Sequence, residues 1–251
     1  MKEIKLIKNE RIDDLQLNGL KIIQNTEGFC FGIDSVILSE FAKNIKNNAN
    51  VVDLGTGTGI LGFLLCGKTN LKTVTGIEIQ EDVAAMAKKS IELNELNEKF
   101  KIIEANITDI FKNKLLEKNK YDVVITNPPY KELGTGIINI DEKKLISRHE
   151  IKATLFDFIN IASQLLKDKG ELYMVHKAER LVDIIDLFRK NNIEPKELRN
   201  VYSKPDEDAT LILIKGIKSG KKFLKIKKPL YIYEKNGEYS EEIKKINKIK
   251  K

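Results

Sequence analysis

The 251-residue chain predicts an α/β protein, a doubly wound and mostly parallel sheet with helices on both faces. Three observations carry that expectation. From residue 50 onward, short β-branched apolar runs alternate with segments of helical periodicity. The first of these runs, "NVVDLG", opens directly into the glycine-rich turn "GTGTGILG". A later run, "YDVVITN", ends on an asparagine followed by two prolines and a tyrosine.

Ahead of the sheet, "LQLNGLKIIQ" sets Asn18-Gly19 between alternating apolar residues, a hairpin signal. In "EGFCFGIDSVILSEFAKNIK", residues Val36, Ile37, Phe41 and Ala42 recur at helical spacing between Ile33 and Ile45. Asp34 and Ser35 are placed to cap and charge that helix start. "NVVDLG" is the first parallel strand, and "ILGFLLCG" is the helix after it, stopped by Gly67. "TVTGIEI" is the second strand and "EDVAAMAKKSIELNEL" an amphipathic helix. "FKIIEANI" and "YDVVITN" are the third and fourth strands. "TLFDFINIASQLLKDKG" reads as a helix ending at Gly170. "GELYMVH" is the fifth strand, "ERLVDIIDLFRKNN" a helix and "ATLILIKG" a late strand. From Gly216 onward the chain predicts one or two short strands and a basic helix.

Apolar residues at 41% suffice for a core, and no apolar run is long enough to span a membrane. The charged start "MKEIKLIKNERIDD" is not a signal peptide, so a cytoplasmic protein is expected. Cys30 and Cys66 sit in apolar surroundings as buried thiols, with no CxxC pair. His149 and His176 are far apart in sequence, and no metal is expected. The net charge of +7 is concentrated in residues 215–251, which hold thirteen lysines against four glutamates. That excess suits a polyanionic partner, or is lysine used as surface filler in a Lys-, Asn- and Ile-rich chain. Lys221, Lys222, Lys225, Lys227 and Lys228, beside Phe223, Tyr231 and Tyr233, are candidate phosphate contacts.

The turn after the first strand holds Gly55, Gly57, Gly59 and Gly62, and from Gly57 it satisfies G-x-G-x-x-G. A bound pyrophosphate favours bare amides with no anion nearby. Here Asp53 stands two residues before the first glycine, and Glu78 ends the second strand, where an acid takes ribose hydroxyls. Two carboxylates suit a nucleoside ligand that carries cationic groups and no phosphate. S-adenosylmethionine, with a sulfonium and an ammonium, is such a ligand; a nicotinamide dinucleotide is the competing reading. Asn106, or Asp109 three residues on, is placed to meet the adenine edge.

Asn127-Pro128-Pro129-Tyr130 ends the fourth strand, which in doubly wound sheets lies beside the first. The prolines stiffen the turn. An amino group on a heteroaromatic ring or an amide is a poor nucleophile because its lone pair is delocalised. It needs two acceptors to hold its N–H bonds, and the Asn127 side chain and the Pro128 carbonyl supply them. Tyr130 can stack on the ring, and alignment supplies most of the acceleration. Arg148 and His149, in a loop from Lys131 to Ser147 and just beyond, are candidate contacts for the substrate or its backbone phosphate.

"DLGTGTG", "GIEIQ" and "NPPY" resemble the class I S-adenosylmethionine-dependent methyltransferases that act on amino groups. "GFCFGIDSVILSEFA", "RHE", "MVHKAERL" and "PLYIYEKNGEYSEEI" narrow the resemblance to the bacterial tRNA1(Val) (adenine-37-N6)-methyltransferase family. Cys30 departs from it, standing where a basic residue is expected. The resemblance implies a seven-stranded Rossmann-like sheet in a single domain. That domain comprises a hairpin and helix (1–48), a catalytic core (49–214) and a basic extension (215–251). It implies S-adenosylmethionine as cofactor, tRNA as partner and a monomer. It assigns the donor site to Phe31, Asp34, Asp53, Gly55, Thr56, Gly57, Gly59, Glu78, Ile79, Asn106, Ile107 and Asn127. Residues Asn127 to Tyr130 are the implied catalytic turn, and Arg148, His149, Lys221, Lys222 and Lys225 the implied substrate contacts. The alternatives are a release-factor glutamine methyltransferase, an enzyme for amino groups of ribosomal RNA or DNA, and a non-catalytic nucleic-acid-binding module.

Overall fold

The computed structural model describes residues 5–27, 31–130 and 153–246. A hairpin of β1 (Glu10–Asp14) and β2 (Lys21–Asn25) turns at Asn18 and Gly19, both with positive φ as expected. Helix α1 (Ile33–Phe41) leads into β3 (Asn50–Leu54), α2 (Ile60–Lys68), β4 (Thr73–Glu78), α3 (Glu81–Leu93) and β5 (Phe100–Glu104). A short 3-10 helix (Ile107–Asp109) precedes β6 (Tyr121–Thr126). Then come α4 (Leu155–Leu165), β7 (Leu166–Lys177), α5 (Leu181–Lys190), β8 (Ile193–Tyr202) and β9 (Ala209–Lys218). Two-residue strands β10 (Lys225–Ile226) and β11 (Leu230–Tyr231) and helix α6 (Glu241–Ile246) complete the described chain.

Nine strands form one sheet in the order β10-β8-β9-β7-β6-β3-β4-β5, with β11 also on β8. Seven are long, and β10 and β11 only lengthen the β8 edge. All pairings are parallel except those of β9, which runs antiparallel between β7 and β8. Strand residues alternate between two apolar clusters. Val51, Val123 and Val175 face α1, α2 and the hairpin, while Val52, Val124 and Met174 face α4 and α5. Helices therefore cover both faces, as the alternating pattern requires.

Four local expectations change. Asp34 charges the first turn of α1 as expected, but neither it nor Ser35 caps the helix: Gly32 is the N-cap and makes no side-chain bond. Gly67 lies inside α2 and does not stop it; a Cβ there would collide with Leu17 and Leu20 of the hairpin turn. The helix predicted to reach Gly170 ends at Leu165, because Leu166 already pairs with Tyr121 and residues 167–170 bulge before Glu171 pairs with Val123. The fourth is β8, a strand that carries no clear signal in its own residues. "IEPKELRNVY" sets polar residues in adjacent pairs, Lys196-Glu197 and Arg199-Asn200, which break the period of two, and carries Pro195 at a register shift; both mask the strand signal. Cys66 is a half-buried free thiol whose burial pushes its pKa up to about 11; Cys30 lies outside the described residues.

Candidate active site

The carboxyl ends of β6, β3, β4 and β5 lie side by side from the middle of the sheet to its β5 edge, with β3 flanked by β4 and β6. The glycine turn rises from β3. Gly55, Gly57 and Gly59 all have φ in the left-handed region, at 70°, 57° and 87°. At Gly57 an added Cβ would meet nothing within 4 Å, so its bare backbone faces open space. The Thr56 amide donates to the Ile77 carbonyl at 2.9 Å, folding the turn over β4. Gly76 makes room there, since a Cβ on it would strike the Thr56 side chain.

Asp53 and Glu78 stand on either side of this turn. Asp53 is fully buried. Its Oδ2 accepts the Thr56 hydroxyl at 2.5 Å, while Oδ1 has no partner among the described residues. Burial, opposed by the Thr56 bond and reinforced by Glu78, raises its pKa to about 7. An orphaned buried carboxylate oxygen beside an open glycine backbone fits a cationic ligand group. Glu78 is buried too. Its Oε2 accepts the Gly57 amide and its Oε1 the Ile79 and Gln80 amides, each at 2.9 Å. The expected ribose acceptor is thus also the clamp that shapes the turn. Ile79, 41% exposed, leaves an apolar side chain at the mouth. Asn106 ends the neighbouring strand region, its side chain accepting the Thr108 amide at 3.1 Å, and Ile107 is buried beneath it.

On the other side, Thr126 donates to the Leu54 carbonyl at 2.8 Å and ties the end of β6 to the end of β3. That bond fixes Asn127 next to the glycine turn. Pro128 is buried and Pro129 exposed. The Tyr130 hydroxyl lies 2.6 Å from Asp34 Oδ2 and 3.0 Å from Asn127 Oδ1. One phenolic proton cannot serve both fully, and the shorter, charge-assisted bond to Asp34 takes it. Asn127 Oδ1 keeps acceptor capacity for an incoming N–H. The Asn127 amide group reaches Ser35 Oγ at 3.4 Å. Burial and the Asp34 charge raise the Tyr130 pKa, so it stays a neutral donor. Its ring is 5.1 Å from that of His176, inclined at 52°. His176 is buried, with Nδ1 accepting the Lys177 amide at 2.9 Å. Burial, then Arg180 and Lys177, lower its pKa to about 4, so it is neutral at physiological pH and acts as a packing face for Tyr130.

The structure therefore joins Asp34, Ser35, Asn127, Tyr130 and His176 in one network, and Asp53, Thr56, Gly57, Glu78 and Ile79 in another beside it. Ser35 and His176 were not sequence candidates for the site; a serine at a helix start and a histidine at a strand end carry no local signal for it. No hydrogen bond or ring contact among the described residues joins Phe31 to either network. Its amide donates to Gln24, and it lines a cavity of about 310 Å³ between the hairpin turn, α1, α2 and α6, away from the glycine turn. Lys221, Lys222 and Lys225 lie at the β10 edge, with three strands between them and β6. Arg148 and His149 lie outside the described residues. Among the described residues no group of three acidic, His or Cys side chains could hold a metal ion, and no helix is long and apolar enough to cross a membrane.

A family model described as the methyltransferase small domain matches residues 33–190. The chain is 25% identical over 183 residues to a tRNA1(Val) (adenine(37)-N6)-methyltransferase of Parabacteroides distasonis, covering 73% of this chain and 74% of that one. Its fold is similar to the crystal structure of a predicted O-methyltransferase, protein Atu636 from Agrobacterium tumefaciens, with a TM-score of 0.67 and 22% identity. That match covers 86% of this chain and 95% of the other. It is also similar to M. jannaschii TYW2 in complex with AdoMet, with a TM-score of 0.58 and 18% identity, covering 86% of this chain and 89% of that one.

Proposed function

The chain belongs to the methyltransferase small-domain family, and from that premise we propose that it methylates the N6 amino group of an adenine in tRNA. The family uses S-adenosylmethionine, which supplies the methyl group on an electrophilic sulfonium. In this reading Glu78 takes the ribose hydroxyls, Asp53 faces the cationic end of the donor through the glycine turn, and Ile79 packs on its adenine. Asn127 Oδ1 and the Pro128 carbonyl accept the two N–H bonds of the substrate amine. They draw its lone pair towards the methyl carbon. The new C–N bond forms as the C–S bond breaks, and the extra proton on nitrogen leaves to solvent. No strong base is required, and His176, neutral and packed on Tyr130, supplies none. Asp34 holds Tyr130 by its hydroxyl, which fixes the ring that stacks on the target base.

The observation that carries this reading is the position of Asn127, bonded to Tyr130 and Ser35 and tied through Thr126 to the strand bearing the glycine turn. The tRNA substrate rests on relatives such as the Parabacteroides distasonis protein, whose name specifies adenine 37 of tRNA1(Val). The test is mass spectrometry of tRNA nucleosides from a deletion strain and its complemented parent. Loss of N6-methyladenosine on deletion, restored by the wild-type chain and not by Asn127→Ala, is the expected result. An unchanged nucleoside profile overturns the tRNA assignment.

A further inference from the structure

The basic edge of the sheet carries one feature that lysines placed to protect a strand edge do not explain. Charged residues on an edge strand discourage pairing with other chains, and β10 needs nothing more for that. Phe223, just before β10, is nevertheless 87% exposed. Its φ is +88°, a conformation that a bulky residue adopts only when its surroundings impose it.

The surroundings are built to impose it. The half-buried Lys196 ammonium donates to three successive carbonyls, those of Lys221 at 3.0 Å, Lys222 at 3.0 Å and Phe223 at 2.7 Å. The loop is thereby curled around a single cation. Just beyond it, the Lys227 amide donates to the Leu198 carbonyl at 2.7 Å. Arg199 then donates to the Lys228 carbonyl at 3.0 Å and the Pro229 carbonyl at 3.2 Å, and grips Glu242 through two bonds. Both ends of the segment are anchored, and an aromatic ring is held out into solvent between them. Lys221, Lys222, Lys225 and Lys228 flank it along the chain, all exposed and without an ion pair among the described residues. Lys227 differs, being paired with Glu197 at 2.8 Å. Tyr231 packs against Tyr202 and Tyr233 stacks on Tyr239, so these two rings are used internally.

We infer that Phe223 is a stacking platform for an unpaired RNA base, with Lys221, Lys222, Lys225 and Lys228 neutralising the flanking phosphates. A nucleobase offers a π-face to an exposed ring whatever its sequence, and four unpaired ammonium groups favour a polyanion over a protein partner. The site is distinct from the reactive turn. Four interstrand steps separate β10 from β6, about 19 Å at ordinary sheet spacing. An RNA stem and loop bridges that span and a single nucleotide does not, so the platform would hold the body of the substrate while Asn127 holds the target base. The inference takes the RNA from the proposed function, and the experiment separates the two.

The chain contains no tryptophan, so Phe223→Trp introduces a unique fluorophore at the platform. Titration with unfractionated tRNA should quench it. Phe223→Ala should weaken tRNA binding about 5- to 150-fold, the loss per stacked base. The slope of log affinity against log salt should stay unchanged, because no phosphate contact is lost. Replacing the four unpaired lysines with Gln should flatten that slope by about 0.7 per lost phosphate contact. Phe223→Gly relieves the positive φ, so it should raise the melting temperature while weakening tRNA binding as Ala does. S-adenosylmethionine affinity should not change in any variant. An unquenched Phe223→Trp, with wild-type tRNA affinity for Phe223→Ala in a chain that still methylates tRNA, overturns the platform and leaves the methylation reading standing. Quenching by tRNA in a chain that methylates none keeps the platform and sinks the methylation reading.

Discussion

Asp53→Asn should make the donor-free protein more stable at pH 8 and a worse donor binder. The Asp53 carboxylate is fully buried, one oxygen has no partner, and the carboxylate of Glu78 is a second charge nearby. Its pKa moves from 3.8 to about 7. Because the folded value is raised, the carboxylate costs nothing below about pH 4, costs progressively more as pH rises to 7, and its full penalty is present above that. Roughly three pKa units at 1.36 kcal/mol each set that penalty at about 4 kcal/mol. Asparagine removes the charge but leaves a buried amide NH2 group unpartnered, which returns about 1–3 kcal/mol. The net expectation is a gain of about 1–3 kcal/mol at pH 8, or several degrees in melting temperature. At pH 4.5 the gain should vanish. Saturating S-adenosylmethionine should reverse the order, since the variant lacks the charge that faces the donor's cationic group. By the same linkage, wild-type donor affinity should fall as pH drops below about 7. Thermal melts at the two pH values, with and without donor, and calorimetry across pH make the measurement. A variant that melts below wild type at pH 8 without donor would refute this account of the buried carboxylate.

Asn127→Ala should keep donor affinity and lose on the order of 10²–10³ in turnover, the cost of one missing contact to developing charge; unchanged single-turnover rates in a folded variant would remove Asn127 from the chemistry. Glu78→Gln should lower donor affinity at least tenfold in calorimetry, because a neutral amide replaces a charged acceptor and turns an NH2 towards amides of Gly57, Ile79 or Gln80. Equal affinity would place the donor elsewhere. Gly62→Ala should cost about 1–3 kcal/mol in urea unfolding, because its methyl would lie inside the Phe100 ring, itself packed edge-on against Phe63. A neutral result would mean that α2 and β5 separate more easily than the packing indicates.

How much of this was legible beforehand depends on the distance over which each feature is specified. The strands from β3 to β7, the hairpin turn at Asn18-Gly19, the glycine turn and the Asn-Pro-Pro-Tyr turn are written in neighbouring residues: period, branching, glycine and proline. Each shows in a window of about ten residues, because the steric rules that produce it act along the chain. β8 escaped because its polar, proline-containing sequence is a strand only where β9 offers a partner and β10 and β11 cover part of its outer edge. The same holds for the working contacts. Asp34 reads locally as a cap residue, yet its carboxylate holds the hydroxyl of Tyr130, 96 residues away in the chain. Ser35 meets Asn127 across 92 residues. Lys196 reads as a surface lysine until the chain returns beside it and presents three carbonyls. Sequence alone determined which backbone turns could form and which chemistry they could host. Only the closed sheet decided which side chains face each other there, because contacts made across such separations depend on strand order and register, and no local pattern encodes those.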